Sequence, residues 1–187
     1  MIIEQNFKSI NFGKSDFPGT EFESCLFQNC NFSNCNLSGM QFAECVFESC
    51  DFTGVELGGT GLKDVRFDEC KLLGIQFSEC SSFLLEFSFS KCNLTYASFQ
   101  KLKIKKTLFS HCTLEEVDFS ETDLESSVFN ECNLMGDIFE RTNLSKADLR
   151  TSTHFSIDPE NNRLRGTHFS LAGLPGLLDK YGIKIHN

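Results

Sequence analysis

The chain has 187 residues, of which 40% are apolar and 12% aromatic, with 21 Phe and no Trp. That length suits one domain, and no window approaches the run of apolar residues that a membrane span needs. A net charge of −9 disfavours direct nucleic-acid binding, which needs basic surface against phosphate. The start MIIEQNF has no basic segment followed by an apolar stretch, so the expectation is a soluble cytoplasmic protein with no membrane contact.

From Phe7 an apolar residue recurs at every fifth position, through Phe12, Phe17, Phe22, Phe27 and Phe32, and so on to Phe77. After a slip of two residues the beat resumes at Leu84 and Phe89 and runs to Leu149; 17 of the 21 Phe fall on it. A period of five is neither the 3.6 of a helix nor the 2 of a flat strand, so the chain reads as a repeat array.

Two residues before each beat lies a smaller inward position, held by Cys25, Cys30, Cys35, Cys45, Cys50 and Cys70, then by Cys92, Ala97, Cys112, Val117, Cys132 and Ala147. The other three positions of each five are mostly polar. Cys30, Cys50 and Cys70, then Cys92, Cys112 and Cys132, recur every twenty residues, with two extra between Cys70 and Cys92 in the stretch that holds Ser81, Ser82 and Phe83. These spacings match no zinc framework, so the ten cysteines read as small core residues. In the second run Phe and aliphatic residues alternate on the beat.

The A/C-(D/N)-(L/F)-x-x pattern, plain in CNFSNCNLSG and TNLSKADLR, resembles the pentapeptide-repeat family over about four fifths of the chain. The resemblance implies an all-β solenoid, a right-handed quadrilateral β-helix with four pentapeptides per turn. The expected organisation is a β-helix over residues 1–170, with the bulge near 81–83 and an irregular last turn over 150–170 around a protruding DPENN loop. His154 and Pro159 fall on the beat there, and Leu164 and Phe169 restore it. Residues 171–187 then form a cap and tail. Pro175 suits a first helical turn and Gly182 the residue after a helix end, which predicts a short helix from Pro175 to Tyr181 and an extended Ile183 to Ile185.

No catalytic constellation appears. His111, His154, His168 and His186 do not share a face with carboxylates at ligand spacing, no metal or cofactor motif is present, and the chain reads as a non-enzyme. Residues 1–149 hold 23 Asp or Glu against 12 Lys or Arg, whereas residues 150–187 hold three against five. The repeat shaft is therefore the acidic part. Lys101, Lys103, Lys105 and Lys106 are a local exception, read as a solvated corner or as a contact for an acidic segment. Leu26, Val46, Leu108 and Val128 form an outward column interrupted by Arg66 and Ser88, read as lateral strand formers or as a contact face.

The ending, SIDPENNRL followed by LPGLLDKYGI, resembles the microcin-immunity and quinolone-resistance branch of the family. That likeness implies a rod-shaped homodimer that imitates DNA and binds DNA gyrase or topoisomerase IV, protecting it from quinolones or peptide toxins. The bulge of only two residues departs from the longer projecting loop of the enterobacterial quinolone-resistance proteins. Partner contacts are expected at Asp118, Glu121, Asp123, Glu125 and Glu140, with Ser81, Ser82 and Phe83 secondary. A dimer interface is expected at Leu171, Leu174, Leu177, Leu178 and Tyr181. The competing reading is a structural or scaffold protein that holds an unrelated partner through the Lys cluster and the apolar column.

Overall fold

A computed structural model describes residues 1–14 and 17–184. It is a parallel β-solenoid with eleven short strands: β1 (Ile2–Ile3), β2 (Asn6–Lys8), β3 (Glu21–Glu23), β4 (Leu26–Gln28), β5 (Gln41–Ala43), β6 (Val46–Glu48), β7 (Gly61–Lys63), β8 (Val65–Asp68), β9 (Phe87–Ser90), β10 (Leu108–Ser110) and β11 (Val128–Asn130). Strands on successive turns pair in a register of twenty residues, as in Phe27↔Phe47 and Phe109↔Phe129, and of twenty-two across the bulge, as in Phe67↔Phe89. Seven strands form the first wall in the order β11-β10-β9-β8-β6-β4-β2, and β1-β3-β5-β7 start the fourth. The second and third walls are held by isolated parallel bridges such as Asn93↔Thr113 and Ser98↔Asp118.

The five-residue period exists because the chain turns a corner every fifth residue. At Glu116, Glu121, Ser126 and Glu131 the corner residue has φ between 51° and 62°, a left-handed conformation that costs a non-glycine residue roughly 1–2 kcal/mol. Stacking inside the square offsets it. Phe27 lies 4.8 Å from both Phe7 and Phe47, nearly parallel, and meets Phe32 edge-on at 5.6 Å. Phe89, Phe109 and Phe129 continue the ladder at 5.2 and 4.9 Å. Each ring thus removes apolar surface on both its neighbours from water, at roughly 25 cal/mol per Å².

The ten cysteines are free and buried. In the straight column the thiols of Cys50, Cys70, Cys92 and Cys132 donate to the carbonyls of Phe27, Phe47, Phe67 and Phe109 on the turn before. Burial pushes the thiols of Cys45 and Cys80 up to about 12.

Three details differ from the sequence-based expectation. Leu84 does not rejoin the beat: it is 56% exposed and holds a corner conformation at φ 54°. The two extra residues are absorbed between Cys80 and Glu86, and Phe87 enters the core instead, its ring 5.3 Å from Phe77 and 5.1 Å from Phe89. In the last turn His154 points outward, with Nδ1 2.9 Å from Asn133 Oδ1, while Phe155 and Ile157 are buried. A second inward pair two residues apart thereby replaces His154 and Pro159.

The third difference is the terminal helix. It is of the 3-10 type and begins at Leu171, running Leu171–Leu177 and then Asp179–Tyr181. Ser170 starts it by accepting the Gly173 N–H at 3.1 Å, and Gly182 ends it at φ 61°. The start shifts because Gly173 and Gly176 must lie on Phe155. A Cβ at Gly176 would come within 2.1 Å of the Phe155 carbonyl oxygen. Ile183 and Lys184 are exposed; Ile185 and His186 lie outside the described residues. Among the described residues no helix is long and apolar enough to cross a membrane.

Candidate functional site

The acid excess of the shaft is unevenly placed. Residues 107–149 carry ten Asp or Glu against two Lys or Arg, whereas residues 1–106 carry thirteen against ten. The last regular turns before the terminal helix are therefore the strongly anionic end of the rod.

The five carboxylates selected from sequence all lie in this region, on two walls and the corner between them. Asp118 and Glu140 flank Phe119 and Phe139 on the third wall; Asp118 Oδ1 accepts the Ser120 N–H at 2.8 Å. Glu121 stands at the next corner, paired with Arg141 at 3.0 Å. Asp123 and Glu125 flank Leu124 on the fourth wall and share Lys105, at 3.3 and 2.8 Å, while Glu125 also meets Lys146 at 3.5 Å. The Lys105 and Lys146 ammonium groups hold the Glu125 carboxyl below its ordinary range. Three of the five are thus partly neutralised within the chain.

Asp118 and Glu140 have no cationic partner among the described residues, and the same holds for Glu115 and Glu116. Glu115 Oε1 accepts from Asn133 Nδ2 at 2.7 Å. Glu116, at the corner between the second and third walls, lies under Gly136, whose missing side chain leaves its Cγ open. The unneutralised acidic surface is therefore the second-to-third corner and the third wall, with exposed Met135 and Ile138 between the carboxylates. Glu115 and Glu116 were legible as outward positions after the Leu114 beat, but only the twenty-residue stacking shows that no cation sits above or below them.

Asp137 is a third residue, after Glu115 and Glu116, that sequence reasoning passed over. It stands two before the Phe139 beat, an inward position, directly above Val117, and is 8% exposed. Oδ1 accepts the Val117 N–H at 2.8 Å, and Oδ2 is buried without a partner among the described residues. Burial, with Glu115 adding to it against the Val117 N–H, pushes its carboxyl up to about 8.

At the bulge, Ser81 donates its N–H to the Thr60 carbonyl, Ser82 is exposed, and Phe83 is 77% exposed. Lys101, Lys103 and Lys106 project from the fourth wall and its corners without ion pairs among the described residues, while Lys105 is committed to Asp123 and Glu125. His111 Nδ1 lies 3.2 Å from Glu131, a carboxylate contact that the sequence reading did not foresee. Among the described residues no group of three His, Cys, Asp or Glu could hold a metal ion.

At the terminal helix, Leu171 is 87% exposed, Tyr181 52% and Leu174 43%. Leu177 packs on the core and Leu178 is half-buried. Lys180 fastens the helix to the preceding loop through Asp158 and Glu160, both at 2.6 Å, and the Tyr181 hydroxyl donates to Glu160 at 2.9 Å.

Two structures of QnrB1, a plasmid-mediated fluoroquinolone resistance protein, align over nearly their whole length. The full-length form gives a TM-score of 0.51 at 20% identity, covering 97% of this chain and 99% of that one. A trypsin-treated form gives 0.52 at 21% identity, covering 98% and 99%. No curated protein matches the sequence. The profile of the pentapeptide repeat region matches residues 20–87 and 81–149, and with the five-residue beat, the twenty-residue register and the four-walled core this places the chain in the pentapeptide-repeat family.

Proposed function

We propose that this chain is a non-enzymatic cytoplasmic binding protein whose partner is a type II topoisomerase, DNA gyrase or topoisomerase IV. It engages the enzyme as a mimic of DNA and protects it from quinolones or peptide toxins. The observation that carries the reading is the end-to-end correspondence with QnrB1, named as a fluoroquinolone resistance protein, joined to a shaft whose acid excess is concentrated at one end. Successive turns space outward carboxylates by about 4.8 Å, so a basic groove built for a duplex meets rows of negative charge along a straight rod.

In this proposal Asp118 and Glu140 are the primary contacts, joined by Glu115 and Glu116. Glu121, Asp123 and Glu125 contribute through their shared ion pairs, and Ser81 to Phe83 are a secondary contact. Two chains join through Leu171, Leu174 and Tyr181, with Leu177 and Leu178 supporting that surface from the core side.

The test is surface plasmon resonance with immobilised gyrase A subunit at several salt concentrations, comparing the native chain with Glu116→Lys/Asp118→Lys/Glu140→Lys. The expected result is affinity that falls steeply with salt and is lost in the triple variant, whose circular dichroism is unchanged. Equal binding by both proteins would remove these carboxylates from the contact.

A further inference from the structure

The corner between the second and third walls carries apolar side chains that the fold does not require. Tyr96 stands at the corner itself, 55% exposed and at φ 62°. In the same column Gly74, one turn below, and Gly136, two turns above, make the turn with no side chain. Ile138, 45% exposed, is in register with Asp118 and Ser98. Met135, 51% exposed, stands one turn above Glu115, in the register of Thr113↔Asn133. Polar residues therefore serve at both positions, and packing does not account for the apolar ones.

Glu115, Glu116, Asp118 and Glu140 stand among these side chains. Every charge on the face is negative. Residues 92–100, 112–120 and 132–140, which form the two walls and this corner over three turns, contain no Lys, Arg or His. Lys101 and Arg141 stand at the next corner, where Arg141 is paired with Glu121, and His154, on the turn above, is held to Asn133. Directly above Glu116 a Cβ at Gly136 would meet Glu116 Cγ at 3.0 Å. The missing side chain leaves the upper side of exposed Glu116 open, with Met135 and Ile138 to either side.

From this arrangement we infer that the corner is a docking line for a helix of the partner protein, laid along the solenoid axis, with a basic residue between two apolar ones on a single stripe. Charge complementarity selects the basic centre, since no cation on the face competes with it. The spacing selects a helix. Tyr96, Glu116, and Met135 with Ile138 follow one another up the corner at about 4.8 Å per turn. The helical stripe i, i+3 or i+4, i+7 advances about 5.3 Å per step, and alternate residues of an extended chain about 6.7 Å. Over two steps the helix departs from the corner by about 1 Å and the extended chain by about 4 Å. The apolar residues of the helix cover Tyr96 at one end and Met135 and Ile138 at the other, while the Lys or Arg stem crosses Gly136 to Glu116. The inference rests on the proposal that this anionic face is the contact, and adds the form of the element it receives.

The experiment is fluorescence anisotropy of three labelled, Ala-based helical peptides with the full chain, containing Leu-Ala-Ala-Arg-Arg-Ala-Ala-Leu, Ser-Ala-Ala-Arg-Arg-Ala-Ala-Ser and Leu-Ala-Ala-Glu-Glu-Ala-Ala-Leu. The first should bind saturably and at least about fivefold more tightly than the second, as about 40 Å² of apolar contact gives, and the third should not bind. Met135→Ser/Ile138→Ser and, separately, Tyr96→Asn should each weaken the first by at least about threefold and leave the second unchanged. Asn tolerates the left-handed corner and Ser98 already holds the row of Ile138, so both variants should keep the native circular dichroism. Failure of the first peptide to bind, equal binding of the first two, or a preference untouched by the substitutions would overturn the proposal. Peptide preference without binding of gyrase A subunit would keep it and remove the topoisomerase reading; gyrase binding without peptide preference would do the reverse. A dimer in sedimentation that Met135→Ser/Ile138→Ser dissociates would assign the corner to a second copy and overturn the proposal equally.

Discussion

Asp137 Oδ1 accepts the backbone N–H of Val117, the residue one turn below it, at 2.8 Å inside the solenoid. At the equivalent position of the preceding turn, the Ala97 N–H instead donates to the Leu94 carbonyl within its own corner. A buried carboxyl has therefore replaced a corner bond, and its second oxygen is left without a donor.

This relationship predicts an unusual loss of stability between acid and neutral pH. The carboxyl is held at about 8 in the fold against an ordinary value near 3.9 when unfolded. Between these values the folded state binds a proton that the unfolded chain does not. The stabilising contribution of this group is then fully present below about pH 4 and falls as pH rises towards 8, by about 1.4 kcal/mol per unit. Asp137→Val, which matches Val117 below and Ile157 above, should flatten this slope and raise the midpoint of urea unfolding at pH 8. An unchanged slope in the variant would show that another group titrates.

Phe109 lies between Phe89 at 5.2 Å and Phe129 at 4.9 Å, with Phe99 and Phe119 edge-on. Phe109→Ala should cost about 3–5 kcal/mol. Because each turn is stabilised by its neighbours, amide exchange should accelerate in the turns above and below as well as in its own. Acceleration confined to residues 107–111 would argue against nearest-neighbour coupling.

The terminal helix depends on contact too close for any side chain at Gly176 and on the Lys180 clamp. Gly176→Ala should release the helix and make it the first site of proteolysis, while the shaft stays folded. The Lys180 ammonium group holds Asp158 and Glu160 below their ordinary range. Their stabilising effect is present above the unfolded carboxylate range and lost as pH falls through the lowered folded values. Acid should therefore detach the helix earlier than it unfolds the shaft. Nuclear magnetic resonance of Gly182 during acid titration reads the order, and simultaneous loss would contradict it.

All ten thiols are buried, and reaction requires a thiolate in contact with reagent. In native buffer a disulfide reagent should label them only as fast as the coil opens, and in denaturant all ten should react at once. Rapid labelling of native protein would mean that the column Cys30 to Cys132 is open to solvent.

How much of this was legible before coordinates follows from where local pattern alone decides. The beat of Phe7, Phe12 and Phe17 marked a repeat array, the resemblance to the pentapeptide-repeat family implied the β-helix with four repeats per turn, and the single cysteine column matched that register, since inward residues must stack to be buried. Leu84 was misplaced because counting residues across a bulge assumes that the beat resumes at once, whereas Phe87 packs better against Phe77. His154 was misplaced for the same reason, with Phe155 one residue on. The acids were identified by outward phase, but pairing across turns, such as Glu121 with Arg141, depends on side-chain reach. Asp137 was visible in principle, as a charge two residues before a beat.

The most direct test of the account is a DNA gyrase supercoiling assay with the purified chain, with and without a fluoroquinolone, across a salt series. The account predicts inhibition, or rescue from the drug, that weakens as salt rises and is absent for Glu116→Lys/Asp118→Lys/Glu140→Lys. Supercoiling and drug sensitivity that are unchanged at micromolar protein and low salt would contradict it.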